Sequence, residues 1–399
     1  MSARIFGLQM PSGLLAIKGP KHKRHVRYML PMLKKSKVVA HLSTIIDCSD
    51  RLIRLWRNKE EKTLNENIVG DSKHLLLDII GFIAFDYDLQ TIESAEKEKK
   101  EFTKALDMMI SAHTTIVASG FLPYRVLQWW LKWNPSYQRA IETVRQIANK
   151  IIEKEADQSA DTKPKNMITL LVSSLQENEQ EEAKKPEEEK QGLSRAELLD
   201  EILVSFAAGF ETTSTALSWA IFYLSKHPYV QDKIKQELRD NKITTDTCLT
   251  ADLLDRLTYI DCVMKEVLRF APVVDCQLRT LTQDDEINGL QLKKGDSVLT
   301  AFYNAHMDKR CWTLNPQEFL PERFLNADKN HHPCALGIFG GGHRACIGQD
   351  LARLELKTII TRLMQFVTFV DGGEEKNSGG KRQELTCVPK HVAVYIHFD

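Results

Sequence analysis

The residue with the most evident chemical capacity is Cys346, in the segment FGGGHRACIG from Phe339 to Gly348, directly ahead of the helical stretch QDLARLELKTIITRLM. Glycines at 340, 341 and 342 let the backbone turn tightly and lie against something flat and bulky. A cysteine just before a helix N-terminus meets free N–H groups and the positive end of the dipole, which favour thiolate over thiol. That arrangement suits metal ligation or nucleophilic attack; the bland alternative is a buried, inert cysteine behind a flexible loop. A dinucleotide- or phosphate-binding use of the glycines fails, because no strand precedes them and no Gly-Lys-Ser/Thr follows. A cysteine-protease reading would need a paired His and Asn, which 12 histidines leave open.

A second constellation is Glu211-Thr212, inside the apolar run ILVSFAAGFETTSTALSWAIFYL from Ile202 to Leu224. A carboxylate and a hydroxyl in a dry helix must find partners or water. Either they make a small wet site, or Thr212 bonds back to the Ala208 carbonyl and Glu211 pairs with a buried arginine. The run is long enough to span a bilayer, but a charge near its middle favours the central buried helix of a large globular protein. Ser194 and Glu197 form a capping box that starts this helix, and His227-Pro228 ends it.

The elements that must hold these groups are mostly helical. Asp71-Ser72 can cap SKHLLLDIIGFIAF; Tyr137 to Glu155, Asn166 to Leu175, Pro228 to Asp240 and Leu257 to Phe270 read as helices. DEINGLQLKKGDSVLT, Asp285 to Thr300, turns on Gly289 and Gly295 like two short strands, a helix follows from Gln349 to about Phe366, and the alternation in LTCVPKHVAVYIHF suggests a terminal strand pair. Residues 176–193, nearly free of apolar side chains, read as a charged, solvated surface loop. At roughly 150 residues per domain, 399 residues allow two or three domains or one large one.

With Lys+Arg and Asp+Glu both 54, the net charge is zero and nucleic acid is not expected as a partner. Eight scattered cysteines read as reduced intracellular thiols, and no secretory signal is visible. His331, His332 and Cys334 do not make a tetrahedral metal set.

Four motifs in order carry a family resemblance. Phe339, Gly342, Cys346 and Gly348 match F-x-x-G-x-x-x-C-x-G; AAGFETTS, Ala207 to Ser214, is similar to A/G-G-x-D/E-T-T/S; Lys265 to Arg269 match K-E-x-L-R; and Pro321 to Phe324 spell PERF. From about Gly19 onward the chain resembles the cytochrome P450 superfamily of haem-thiolate monooxygenases, of eukaryotic microsomal type. The resemblance implies one large haem domain over residues 1–399, mainly α with small β-sheets. Part of the N-terminal sheet and the first helices are expected to be missing, since the segment at Gly19 comes almost at the start of the chain.

The resemblance implies haem b with Cys346 as axial ligand, a thiolate whose electron push favours O–O cleavage. Arg344 would pair with a haem propionate in two-toothed fashion and Arg279 with the second. Thr212 would order water and the proton network, with Glu211 relaying protons from solvent, while Ala208-Gly209 keeps bulk off the iron where the helix locally widens. Glu266, Arg269 and Arg323 would form a buried network behind the cysteine loop. The segment GPKHKRHVRYMLP departs from the W-x-x-x-R pattern: His22 stands at the Trp position and Val26 at the Arg position, so His22 or Arg27 must substitute. Lys21, Lys23, Arg24, Arg27, Lys34 and Lys35 would form a basic patch for an NADPH-dependent flavoprotein reductase or cytochrome b5. Phe121 to Trp133, with three tryptophans, either packs inside or touches a membrane surface. The implied reaction inserts one oxygen atom from O2 into a lipophilic small molecule, in a parent protein at the cytoplasmic face of the endoplasmic reticulum membrane. The alternatives are a haem-thiolate isomerase or dehydratase, and a truncated haem-binding relic.

Overall fold

The structure, a computed structural model, describes residues 10, 12–59, 63–93, 97–118, 123–157 and 167–399. In chain order the helices that frame the site are α1 (Gly19–Leu33), α2 (Leu42–Arg57), α3 (Ile68–Phe85), α4 (Lys97–Ala118), α5 (Tyr124–Trp133), α6 (Pro135–Asp157), α7 (Met167–Ser173), α8 (Arg195–Lys226), α9 (Pro228–Asp240), α10 (Thr258–Phe270) and α11 (Gln349–Met364). Each starts or stops for a local reason. Pro20 opens α1, where its missing N–H costs nothing. In α2, Ile45, Cys48, Leu52 and Trp56 recur at the three- and four-residue spacing of one buried stripe. Asp86, in the left-handed region at φ 48°, terminates α3.

Helix α8 is the axle of the molecule. The Ser194/Glu197 capping box is present and the helix runs unbroken until His227 leaves helical geometry before Pro228. Its flanks are packed by aromatic and aliphatic side chains: Phe206 stacks on Phe85 with ring centroids 4.3 Å apart and meets the edge of Phe102 at 5.2 Å. Ring pairs of this geometry add to the area buried. Among the described residues, no helix is long and apolar enough to cross a membrane.

The strands form two-stranded antiparallel ribbons: β1 (Cys276–Thr280) with β4 (Ser297–Ala301), β2 (Asp285–Ile287) with β3 (Leu290–Leu292), β5 (Val367–Asp371) with β8 (Val394–Phe398), and β6 (Lys381–Gln383) with β7 (Cys387–Pro389). Asn288 and Gly289 both take positive φ in the β2–β3 turn, the geometry that an Asn-Gly pair supplies at least strain.

Several sequence expectations are corrected here. Helix α3 begins at Ile68, and Asp71 does not cap it. The Asp71 carboxylate instead accepts from Trp56 Nε1 at 2.7 Å, Asn65 Nδ2 at 2.9 Å and Asn67 Nδ2 at 3.0 Å, tying α2 to α3. The segment from Asp285 to Thr300 gives three strands, the last returning to β1 with Leu278 opposite Leu299. The terminal alternation is split, because β7 pairs with β6 and β8 pairs with β5. Nor are residues 176–193 a free loop: Glu179–Lys184 is helical, and Glu187 takes both Nε and Nη2 of Arg24 at 2.9 and 2.6 Å.

Between α10 and the Pro321–Phe324 turn lies a charge network with no exposure at Glu266, Arg269 or Arg323. Arg269 donates to both Glu266 oxygens at 2.8 and 2.9 Å, and Arg323 Nε reaches Glu266 Oε1 at 3.1 Å. Arg323 Nη1 also reaches Asp328 Oδ2 at 3.0 Å, and the remaining guanidinium hydrogens go to the carbonyls of His306, Leu314, Asn315, Pro316 and Glu318. Two cations meet two anions, and the other donors are engaged on carbonyls. Removing one member strands buried charge, so Arg323→Leu should lower unfolding free energy by about 3–5 kcal/mol in urea titration. Breaking the exposed Lys35–Asp255 pair with Lys35→Ala should leave the midpoint unchanged.

Candidate active site

Cys346 sits between a tight loop and the start of α11. Gly340 and Gly342 both take positive φ, in the left-handed region that only glycine enters freely. The loop therefore folds back, and the Cys346 N–H donates to the Phe339 carbonyl at 2.9 Å. The Phe339 ring carries the Arg353 guanidinium 4.7 Å from its centroid. A Cβ added at Gly341, Gly342 or Gly348 would meet no atom within 4 Å, so these glycines border open space. Cys346 itself is exposed to solvent.

The helix-dipole expectation for this thiol is overturned. Burial raises the Cys346 pKa above its ordinary value, and neither the Gly348 N–H nor the Arg353 charge makes up the difference.

On α8, every residue from Glu201 to Ile221 is buried except Ala208, Gly209 and Thr212. Ala208 and Thr212 lie four apart, one turn along a single face. The Thr212 hydroxyl donates to the Ala208 carbonyl at 2.7 Å, one of the two readings open from sequence. Two expectations about this turn are corrected. The helix does not widen there, and the missing side chain of Gly209 makes room for Ile80 of α3, whose Cδ1 would stand 2.9 Å from an added Cβ.

Glu211 points to another side, entirely buried. Its partner is Lys73 of α3, with Nζ 3.2 Å from Oε2, in place of the arginine considered from sequence; Thr386 donates to Oε1 at 3.3 Å. Lys73 also approaches Glu384 at 3.6 Å. Burial raises the Glu211 pKa despite Lys73, and Glu384 adds to the rise. Sequence reasoning missed Lys73, Glu384 and Thr386; the one available signal was a lone lysine ahead of the apolar run HLLLDIIGF.

A cationic cluster borders the cysteine loop. Arg344 is half-buried, with the Ile17 carbonyl at 2.8 Å as its hydrogen-bond acceptor, and burial together with Arg279 lowers its pKa. Burial, Arg344 and His25 hold His22 down to about 4. Arg279 lies on β1 and is exposed. Arg27 does not join them, since it sits on the exposed face of α1, about 140° around the helix from His22. The basic patch is also thinner than expected: Lys21 and Arg24 turn inward to Glu197 at 2.9 and 2.8 Å, leaving Lys23, Arg27, Lys34 and Lys35 exposed.

Elsewhere, His331 and His332 engage ring nitrogens on backbone, His331 Nδ1 on the Asp328 carbonyl at 2.9 Å and His332 Nδ1 on the Cys334 N–H at 3.1 Å. Of the tryptophan segment, Phe121 and Leu122 lie outside the described residues. In α5 Trp130 packs against the core, whereas Val126, Trp129 and Trp133 are 44%, 63% and 66% exposed.

A family model described as Cytochrome P450 matches residues 3–394, so the chain belongs to the cytochrome P450 family. Cytochrome P450 3A12 of Canis lupus familiaris is 27% identical over 369 residues, 90% of this chain and 70% of that protein. Cytochrome P450 4V2 of Homo sapiens is 25% identical over 398 residues, 95% of this chain and 72% of that protein. A solved structure, "Crystal structure of cytochrome P450DA heme domain", matches with a TM-score of 0.84 over 99% of this chain and 82% of its own at 22% identity, a likeness of fold. Members of this family bind haem through a cysteine thiolate, draw electrons from redox partners and act as monooxygenases, and that is the class of this enzyme.

The residues present fit such a group. They offer an accessible sulfur, open space along a glycine loop, and, among the described residues, two guanidinium groups, Arg344 and Arg279, whose hydrogen-bond acceptors are carbonyls and not carboxylates. With its pKa raised, Cys346 in haem-free protein should alkylate with iodoacetamide more slowly at neutral pH than the thiol of a short unstructured peptide, and the rate should climb with pH. Peptide mapping by mass spectrometry checks this; equal rates at neutral pH would contradict a raised thiol pKa.

Proposed function

We propose that haem b lies between Cys346 and the Ala208/Thr212 face of α8, with Cys346 as axial ligand and Arg344, Arg279 and His22 toward its carboxylates. The observation that carries this is the combination of an exposed thiol just ahead of α11 with one accessible turn in an otherwise buried helix. Phe339, Gly342 and Gly348 shape the loop that holds the sulfur. Bound there, haem supplies O2 activation.

The chain's own residues manage protons. Thr212 Oγ1, now donating to the Ala208 carbonyl, can turn to order a water at the accessible face. Glu211 holds a proton readily because burial raises its pKa, and Lys73 connects it to Glu384, whose side chain is 17% exposed. The series Glu384, Lys73, Glu211 thus leads from surface to helix interior. Glu266, Arg269 and Arg323 act on haem retention by holding the ground behind the cysteine loop.

Electrons come from an NADPH-dependent flavoprotein reductase or cytochrome b5 docking at Lys23, Arg27, Lys34 and Lys35, exposed charges that speed encounter with an acidic surface. Trp129, Trp133 and Val126, flanked by Arg125 and Lys132, give α5 an apolar face with a cationic rim suited to a bilayer interface. That face supports a position at the endoplasmic reticulum membrane, on its cytoplasmic side, with lipophilic substrates at hand.

The reduced, carbon monoxide-bound spectrum tests the assignment: the wild type should show the long-wavelength Soret band of thiolate ligation, and Cys346→Ala should lose it. Thr212→Ala should keep the band while product formation falls by about a hundredfold and consumed O2 appears as hydrogen peroxide. Trp129→Ser with Trp133→Ser should weaken sedimentation with phosphatidylcholine vesicles and spare the Soret band.

A further inference from the structure

Between α1 and the first turns of α8 lies a cluster of ionisable groups that the proton route above does not use. His25 and Glu201 are both fully buried, with His25 Nδ1 2.6 Å from Glu201 Oε1. The far atom of each, His25 Nε2 and Glu201 Oε2, is buried without a hydrogen-bond partner, and Nε2 lies 3.6 Å from Glu197 Oε1. Around the pair stand Lys21, His22 and Arg24 from α1, Glu197 and Asp200 from α8, and Glu187 from the connector. Lys21 and Arg24 are committed to Glu197, Arg24 also to Glu187, and Asp200 to the Ser12 N–H at 2.8 Å. Helix α7, which packs on the same side of α1, has the sequence MITLLVS and contributes no charge. On α11, Asp350 is taken by the Lys35 N–H at 2.9 Å. His25 thus has Glu201 as its hydrogen-bond partner on one nitrogen and the Glu197 carboxylate near the other.

His22 precedes His25 by three residues, so the two share a face of α1. We propose that the His25–Glu201 pair is a positioning device for the haem-carboxylate end of the pocket: it bolts α1 to α8 so that His22 stays beside Arg344, and it loosens as the pair loses its proton. This rests on the reading that His22 and Arg344 hold a haem carboxylate. Glu197 and Glu201 raise the His25 pKa against the pull of burial, and burial raises that of Glu201 despite His25. Both shifts have one sign: a group whose folded pKa lies above its unfolded value contributes stability at low pH and loses it as pH rises through the folded value. The bolt is fastened in mildly acid solution and slackens above the ordinary histidine range.

Transfer of haem from the holoenzyme to excess apomyoglobin, followed by Soret absorbance between about pH 6 and pH 9, tests this. In the wild type the transfer rate should rise at least about fivefold across that range. His25→Asn retains a donor to Glu201 without titrating, and Glu201→Gln retains shape without charge; both should flatten the profile. His22→Ala should raise the rate at every pH and remove the rise. A flat wild-type profile, a wild-type profile in His25→Asn or Glu201→Gln, or a rise that persists in His22→Ala would overturn the proposal. If His22→Ala and Arg344→Ala leave haem transfer unchanged at every pH, it is the carboxylate-site reading that falls.

Discussion

A helix buried on every side has no face to give to water, and that constraint on α8 organises the rest of the molecule. Its apolar residues need only company, but each polar side chain on it must be met by a particular partner at a particular height. Near its start Glu197 and Glu201 are met by α1. In the middle Glu211 is met by Lys73 from α3 and Thr386 ahead of β7, and Thr215 by the same Thr386 at 2.8 Å. Further on, Trp219 Nε1 donates to the Cys387 carbonyl at 2.7 Å. Thr213 bears on Glu355 of α11, a buried acid pushed up to about 8 and so held neutral near physiological pH. Four surrounding elements are thereby set in register against one axle, and α11 carries Cys346 at its head.

The contrast between two charge clusters shows where the fold stores its function. Glu266, Arg269, Arg323 and Asp328 are close to self-sufficient: opposite charges balance and the donors are engaged, which fits a structural role. Arg344 and Arg279 are the reverse, two positive groups set near one another with carbonyl oxygens as their acceptors. Like charges are brought together only when other interactions impose it. Here the imposing elements are the loop ahead of α11 and the β1 strand. An arrangement that costs free energy alone and becomes favourable beside carboxylates is a binding site in the thermodynamic sense.

What is legible in advance is what is encoded within one turn or one motif. The Ser194/Glu197 box and the shared face of Glu266 and Arg269 depend on residues three apart, and both appear as expected. Thr212 and Ala208 are four apart, and their bond is one of two local options. The failures have a common cause in partners far off in sequence. Asp71 has the composition of a cap, but Trp56 and Asn65 claim its carboxylate. Gly209 reads as clearance for a cofactor, yet Ile80 occupies the space. The alternation of the last segment identifies strand residues without naming their partner, and only the packed structure shows β8 beside β5. Lys73 and Glu211 stand on different helices with much of the chain between them, a pairing that no periodicity signals.

The thiol illustrates how two correct local rules can oppose each other. A helix N-terminus favours thiolate, and desolvation favours thiol; at Cys346 desolvation raises the pKa. The dipole effect is worth about a kilocalorie per mole where solvent screens it, whereas desolvation of an anion grows with depth and is offset only by a charge of opposite sign close by. Arg353, the nearest such charge, is engaged on the Phe339 ring. A metal cation is the natural completion, because coordination removes the proton and supplies the missing positive charge in one event.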